Sequence, residues 1–271
     1  MNHLAVVGFG QMGASLAAAW KAGGLRILAI DSDPSVLRKA LERGWADEAS
    51  SAIDDSARAD AVLLAVPVRA AAALLPDVVR VMRPDSLLLD VASTKRAVVE
   101  TYRRAGCGVP YVSLHPLAGN EGTGIDSADP AMFRDAPFLV LSVHASDEVV
   151  ADLESRIRAI GARPIRMASA REHDAAVAAT IHLPHVLAYA LAHLGRDHAE
   201  LAGRSFRDST RVALSDATMV LDFLLTNVPR TTEAIERLVR LLERFRAMLA
   251  AGDEEGLARF VEEAKRIRTR L

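Results

Sequence analysis

The stretch "VVGFGQMG", residues 6–13, decides how the rest of the chain is read. Gly8, Gly10 and Gly13 stand in the spacing G-x-G-x-x-G, at the end of the apolar run "HLAVV" (3–7) and before the helical pattern "ASLAAAWKAG". Each glycine meets a separate steric demand. Gly8 permits the tight turn, Gly10 lets backbone approach a pyrophosphate, and Gly13 lets helix and strand pack closely. With Gln11 and Met12 they open a helix whose free N–H groups and positive dipole end suit phosphate. Asp31 follows the second apolar run, "RILAI" (26–30), eighteen residues after Gly13. A carboxylate there accepts from ribose hydroxyls and repels a 2′-phosphate, so the pattern predicts a dinucleotide site with NAD preferred to NADP. A plainer reading makes "DSDP" a turn in which Asp33 caps the next helix.

Outward from this loop, apolar runs alternate with helical patterns: "AVLLAV" (61–66), "SLLLD" (86–90), "YVSL" (111–114), then "PFLVLSV" and "RPIRM" with a helix at about 146–160 between them. Continuous apolar strands separated by helices indicate a doubly wound α/β domain, a Rossmann-type parallel sheet covered on both faces. From Ser169 onward the period is helical. "SARE" reads as a capping box, Ser169 as N-cap and Glu172 three residues on. The expected organisation is a dinucleotide-binding domain over 1–168 and an all-α domain over 169–271.

Of 271 residues, 51% are apolar and 25% charged, with a formal net charge of −2. Nothing recommends a nucleic-acid partner. Cys107 is the sole cysteine, so no internal disulfide forms, and a reducing, cytoplasmic setting fits. The N-terminus has no basic region before its apolar run and is not read as a signal peptide. The uncharged run Ala175–Leu194 is long enough to span a bilayer. His182, His185, His193 and Pro184 would be costly in lipid, and a helix buried in a helical domain, completed by a second copy of the chain, is expected instead.

Ligands of open parallel sheets lie beyond the carboxyl ends of the strands. Three such ends carry unusual residues: "AVPV" (65–68) with Val66 and Pro67, "DVASTK" (90–95) with Ser93, and "HPLAGNE" (115–121) with His115. Pro67 either shapes the loop past the cofactor or starts a helix, and Ser93 and Thr94 are either functional or caps. His115 precedes Pro116, which keeps the strand extended up to the histidine. Ala118 and Gly119 then remove bulk where a ligand must fit.

"DVASTK", "HPLAGNEGTG", "HLPH" (182–185) and "FRDSTRVALSD" (206–216), in this order, resemble the prephenate/arogenate dehydrogenases of tyrosine biosynthesis. The resemblance implies a nucleotide-binding domain, a helical dimerisation domain and NAD(P)-linked oxidative decarboxylation of a prephenate-like small molecule. It makes His115 the acceptor for the substrate's ring hydroxyl, with Ser93 orienting that histidine and the nicotinamide. It places His185 in the substrate pocket and Arg211 on a substrate carboxylate. Glu121 and Asp208 become members of a charged network at the entrance. Where the family commonly has a serine before "HLPH" and a tryptophan nine residues after the arginine, this chain has Ile181 and Val220. Prephenate, arogenate and a 4-amino analogue therefore all stay open. The glycine loop also resembles the β-hydroxyacid dehydrogenases, but the helix over 170–194 lacks the lysine that class would want. A non-catalytic NAD sensor would have no use for His115, His185 and Arg211.

Overall fold

The computed structural model describes residues 1–119 and 122–270. In chain order the first part runs β1 (His3–Val7), α1 (Gln11–Ala22), β2 (Arg26–Ile30), α2 (Pro34–Glu42), β3 (Glu48–Ser50), β4 (Ala61–Leu64), α3 (Val68–Val81), β5 (Leu87–Asp90), α4 (Arg96–Ala105), β6 (Tyr111–Pro116), β7 (Pro137–His144), α5 (Asp147–Ala159) and β8 (Arg163–Arg166). These strands form one sheet in the order β3-β2-β1-β4-β5-β6-β7-β8. Alternate residues of β1 feed opposite faces: Leu4 and Val6 join one apolar cluster, Ala5 and Val7 the other. A strand buried on both sides needs apolar residues at every position, so "HLAVV" reads as a run and not as an alternation.

Two features of the sheet depart from the sequence reading. The three-residue β3 pairs in parallel with β2 although "EAS" carries no apolar signal. Strand β7 runs antiparallel to β6, whereas the remaining pairs are parallel. A parallel return needs a crossover, usually a helix. Between β6 and β7 the described residues form only two short 3₁₀ turns, Ile125–Ser127 and Pro130–Phe133.

The chain leaves β1 toward β2 and β3, then returns to place β4 on β1's other side. That reversal opens a crevice at the carboxyl ends of β1 and β4, where the glycine loop lies. Gly8 has φ +89°, and a Cβ on it would stand 2.4 Å from Val66 Cγ1. A Cβ on Gly13 would stand 2.1 Å from the Gly8 carbonyl oxygen, which fixes how closely α1 packs on the loop. At Gly10 a Cβ would meet nothing within 4 Å.

The helical part comprises α6 (Ala170–Val177), a π-helical turn over Ala178–His182, α7 (Leu183–Gly195), α8 (Arg204–Thr210), α9 (Ala217–Thr226), α10 (Val228–Ala251) and α11 (Glu254–Arg268). Ser169 caps α6 by accepting from Glu172 N, and Glu172 returns a bond to Ala168 N, so the capping box forms with a one-residue offset. By density of packing the chain separates into Met1–Asn227 and Val228–Leu271. The second unit is a helical hairpin turned at Gly252, with Asp253 capping α11 and Phe245 edge-on to Phe260 at 5.4 Å.

The expected burial of the uncharged run is not met within one chain. The span Ala170–Leu201 is long and apolar enough to cross a membrane (mean hydropathy 1.5), and 22% of its most apolar window is buried. Leu194 is 79% exposed.

The glycines give a test of this geometry. Gly13→Ala must displace backbone, so its melting temperature is expected to fall by several degrees. Gly10→Ala should melt like the parent, because no atom of the described residues crowds its Cβ. Equal melting of the two variants would contradict the packing described.

Candidate active site

Helix α1 begins at the glycine loop with Gly10 as N-cap, which supplies no side-chain cap, and has no acid in its first turn. Helices α2, α5, α6, α9 and α11 each have a side-chain cap. A positive dipole end, an N-cap glycine that carries no capping side chain, and room around Gly10 among the described residues together fit a pyrophosphate. Asp31 sits where the sequence places it. Its carboxylate accepts from Phe9 N at 2.8 Å and Asp33 N at 3.0 Å, which ties the glycine loop to the end of β2. Asp33 caps α2 through Ser35 N, as the plainer reading of "DSDP" expects. The Gln11 side chain reaches across to Gly122 O (3.1 Å) and Ser127 O (3.3 Å), joining α1 to the loop after β6. Met12 packs against one apolar cluster and Val66 against the other, and Pro67 is the N-cap of α3.

At the next strand ends lies a group of charges with almost no solvent contact. Lys95 is 0% exposed, and its three ammonium hydrogens face three acceptors: Asp90 Oδ1 at 3.1 Å, Ala92 O at 2.7 Å and Leu114 O at 2.6 Å. Tyr111 donates to the other Asp90 oxygen at 2.6 Å. Burial lowers the Lys95 pKa, opposed by Asp90 and Asp174. One ammonium thus fastens the ends of β5 and β6, and through Leu114 it sets the position of the residue that follows.

That residue is His115, 8% exposed. Its Nδ1 lies 3.0 Å from Nε2 of His173 on α6, and His173 Nδ1 lies 2.8 Å from Asp174 Oδ1. The two Asp174 oxygens also accept from Lys95 N and Arg96 N at 2.7 and 3.0 Å, capping α4. Burial, His173, Lys95 and His182 hold His115 well below the usual histidine pKa. Burial lowers His173 too, with Asp174 pulling the other way. Burial would raise Asp174, but His173 and the two N–H donors keep its carboxyl below the usual range.

The π-helical turn adds a residue to the helix just before Pro184 and sets the facing of "HLPH". His182 stacks on Phe223 of α9 at 4.6 Å, and His185 meets the same ring edge-on at 5.2 Å. Burial pushes His182 down to about 4. His185 Nδ1 donates to Ile181 O at 2.8 Å, while its Nε2 lies 3.4 Å from Ser215 Oγ. Ile181 is half-buried and Val220 buried. Arg211 is exposed at the start of the turn that leads to Ser215.

Two placements depart from the expected contacts, and a third site residue is not described. Ser93 is half-buried and makes no side-chain hydrogen bond among the described residues; the partner of His115 is His173. Asp208 is exposed and pairs with Arg204 at 3.5 Å, an i,i+4 pair on one helix. Glu121 lies outside the described residues. The sequence reading also passed over two buried carboxylates. Asp174 hides beside the capping box in "SAREHDAA", where a His-Asp pair entering an apolar helix was the available signal. Asp222 of α9 accepts from Val68 N at 2.5 Å and Arg69 Nε at 2.9 Å, capping α3 just after Pro67.

The fold and this crevice define a dinucleotide-binding protein in which the helices that follow the sheet set a histidine-rich site against the strand ends. The sequence profile of the prephenate dehydrogenase nucleotide-binding domain matches residues 16–166, and that of the prephenate dehydrogenase dimerization domain matches 169–263. Cyclohexadienyl dehydrogenase of Zymomonas mobilis is 31% identical over 282 residues, covering 100% of this chain and 96% of its own length. A crystal structure of Aquifex aeolicus prephenate dehydrogenase, in complex with hydroxyphenyl propionate and NAD+, superposes with a TM-score of 0.91 at 26% identity, covering 100% of this chain and 98% of that one. Synechocystis arogenate dehydrogenase does so at 0.87 and 25%, covering 99% of each. The chain belongs to the prephenate dehydrogenase family.

The buried histidines make stability depend on pH with a definite sign. Unfolded histidines take up protons near about 6.5. His115, His173 and His182 resist doing so when folded, His182 until about 4. Between those limits the unfolded chain binds more protons, so their contribution is complete above about 6.5 and is lost progressively on acidification. Thermal melts from pH 8 to 4 should show a plateau and then a decline beginning near about 6.5; a melting temperature that rises on acidification would show that these histidines are charged in the fold.

Proposed function

We propose that the chain is an NAD-dependent dehydrogenase that oxidises and decarboxylates prephenate to 4-hydroxyphenylpyruvate. The observation that carries this reading is His115. It is a histidine kept neutral by burial, at the carboxyl edge of the sheet, beside the crevice of the glycine loop. NAD is the cofactor: the α1 N-terminus and glycine loop take its pyrophosphate, and Asp31 takes the adenosine ribose. When bound, it supplies the acceptor for the ring-carbinol hydride.

His115 accepts the hydrogen bond of the ring hydroxyl and holds its proton as the carbonyl forms. The resulting dienone loses CO₂ because the electrons of the broken C–C bond complete an aromatic ring, and the proton returns to the phenolate oxygen. Arg211 holds the ring carboxylate, and His185 lines the pocket around Phe223. Ser93 belongs at the nicotinamide edge, and Glu121 and Asp208 at the entrance. We place the division into working domains at 168/169; one family profile ends at 166 and the other begins at 169, which supports it.

The same chemistry on arogenate or its 4-amino analogue differs only at the side-chain or ring amine. Ile181 and Val220 offer neither of the family's polar or indole groups there and do not choose among the three; prephenate is the reading taken, with arogenate and the 4-amino analogue as its alternatives. NADH absorbance with prephenate, arogenate and a simple β-hydroxy acid, each with NAD and NADP, tests the assignment. Prephenate with NAD should give the highest kcat/KM. His115→Asn should lower kcat by roughly 10²–10⁴-fold at unchanged NAD affinity, and Arg211→Ala should raise KM by a factor that matches roughly 2–5 kcal/mol. Full turnover in His115→Asn would sink the proposed mechanism.

The exposed apolar residues of the helical part, Leu191, Leu194 and Leu201 among them, suit a homodimer through that domain. An obligate interface of this kind buries on the order of 2,000 Å² or more. Sedimentation as a dimer at micromolar concentration is the expected result, and a monomer would contradict it.

A further inference from the structure

We infer that His173 and Asp174 form a relay behind His115 that fixes its tautomer and takes over its proton during turnover. The inference rests on His115 being the base, and hydrogen accounting along the chain of contacts carries it. Asp174 is an ionised acceptor already receiving two backbone N–H groups, so the 2.8 Å contact requires the hydrogen on His173 Nδ1. A neutral His173 then presents a lone pair at Nε2. The 3.0 Å contact to His115 Nδ1 is a hydrogen bond only if that Nδ1 carries hydrogen. His115 is left with its lone pair on Nε2, the nitrogen that no described side chain engages. Of the two tautomers, this one makes the histidine an acceptor for a substrate hydroxyl.

The same contacts explain how a buried histidine can take a proton at all. Burial, His173, Lys95 and His182 hold the His115 pKa down, and no carboxylate is among the groups that act on it. His173 faces Asp174 and Asp90 as well as Lys95. As the C–H bond of the carbinol gives its electron pair to NAD, the hydroxyl proton passes to His115 Nε2. The Nδ1 proton then moves to His173 Nε2, leaving charge on the imidazolium that touches a carboxylate. After CO₂ leaves, the phenolate oxygen takes a proton from His115 Nε2 and His173 returns its own to His115 Nδ1, so no proton is gained or lost. His173 and Asp174 are positioning residues, joined to the reaction only through His115.

Nitrogen-15 spectra of histidine-labelled enzyme, with His115 assigned by loss of its signals in His115→Asn, read the tautomer directly. The expected result is an Nδ1–H His115 in the parent, mixed with the Nε2–H form in Asp174→Asn. In that variant kcat should drop by about 10²–10⁴-fold, as when the orienting carboxylate of a catalytic triad becomes an amide, with NAD affinity retained. The double variant His173→Asn/Asp174→Asn should fall no further than the lower single one, because the pair acts as a unit. An Nε2–H His115 in the parent overturns the relay. So does an Asp174→Asn enzyme with unaltered kcat and pH profile, while His115→Asn stays inactive. Full turnover in His115→Asn overturns the base itself. If Asp174→Asn does not fold, the parent spectrum decides alone.

Discussion

The ammonium of Lys95, 0% exposed, is the constraint around which the strand ends are arranged. A buried cation of this kind contributes little to net stability compared with an apolar side chain of similar volume. Deleting one partner is costly, roughly 3–5 kcal/mol, because the other charge is left buried and alone. What Lys95 supplies is position. Its three donors have three fixed acceptors on β5, the following loop and β6, so the last residues of two strands cannot shift independently. His115 follows the Leu114 carbonyl directly and inherits that rigidity.

A second arrangement builds on the first. Helices α3 and α4, both belonging to the sheet, are capped by carboxylates from the helical segment, Asp222 and Asp174. An ordinary cap lies within a few residues of the helix it serves; these lie 154 and 79 residues away. Desolvating a carboxylate is costly unless N–H groups replace its water, so each interaction is strong only when the segments are docked. Thr94–Thr226 at 2.7 Å and Asn227 Nδ2 to Asp174 O at 2.7 Å tighten the same seam. The proposed substrate pocket is therefore bounded by elements whose helix ends are completed only by docking.

Most of the architecture is legible in the residue order. Gly8 and Gly13 are needed because a Cβ would strike neighbouring atoms at 2.4 and 2.1 Å, and that steric demand leaves a motif in the sequence. The continuous apolar strands mark a sheet covered on both faces, and Asp31 and His115 stand at strand ends that their own neighbours define. The antiparallel β7 was not legible, since strand direction depends on how the chain between β6 and β7 travels.

The sequence by itself determined the glycine loop, the acidic end of β2, the histidine before proline and the change from α/β to helical pattern at Ser169. Each of these follows from local sterics or local periodicity. Only the tertiary structure decided that His173, and not Ser93, stands behind His115, that Asp174 and Asp222 cap helices far away in sequence, and that Lys95 is buried. Those facts depend on which segments meet in space. A polar residue's burial and partner are set by the element packed against it, and the residues beside it in the chain carry no record of that.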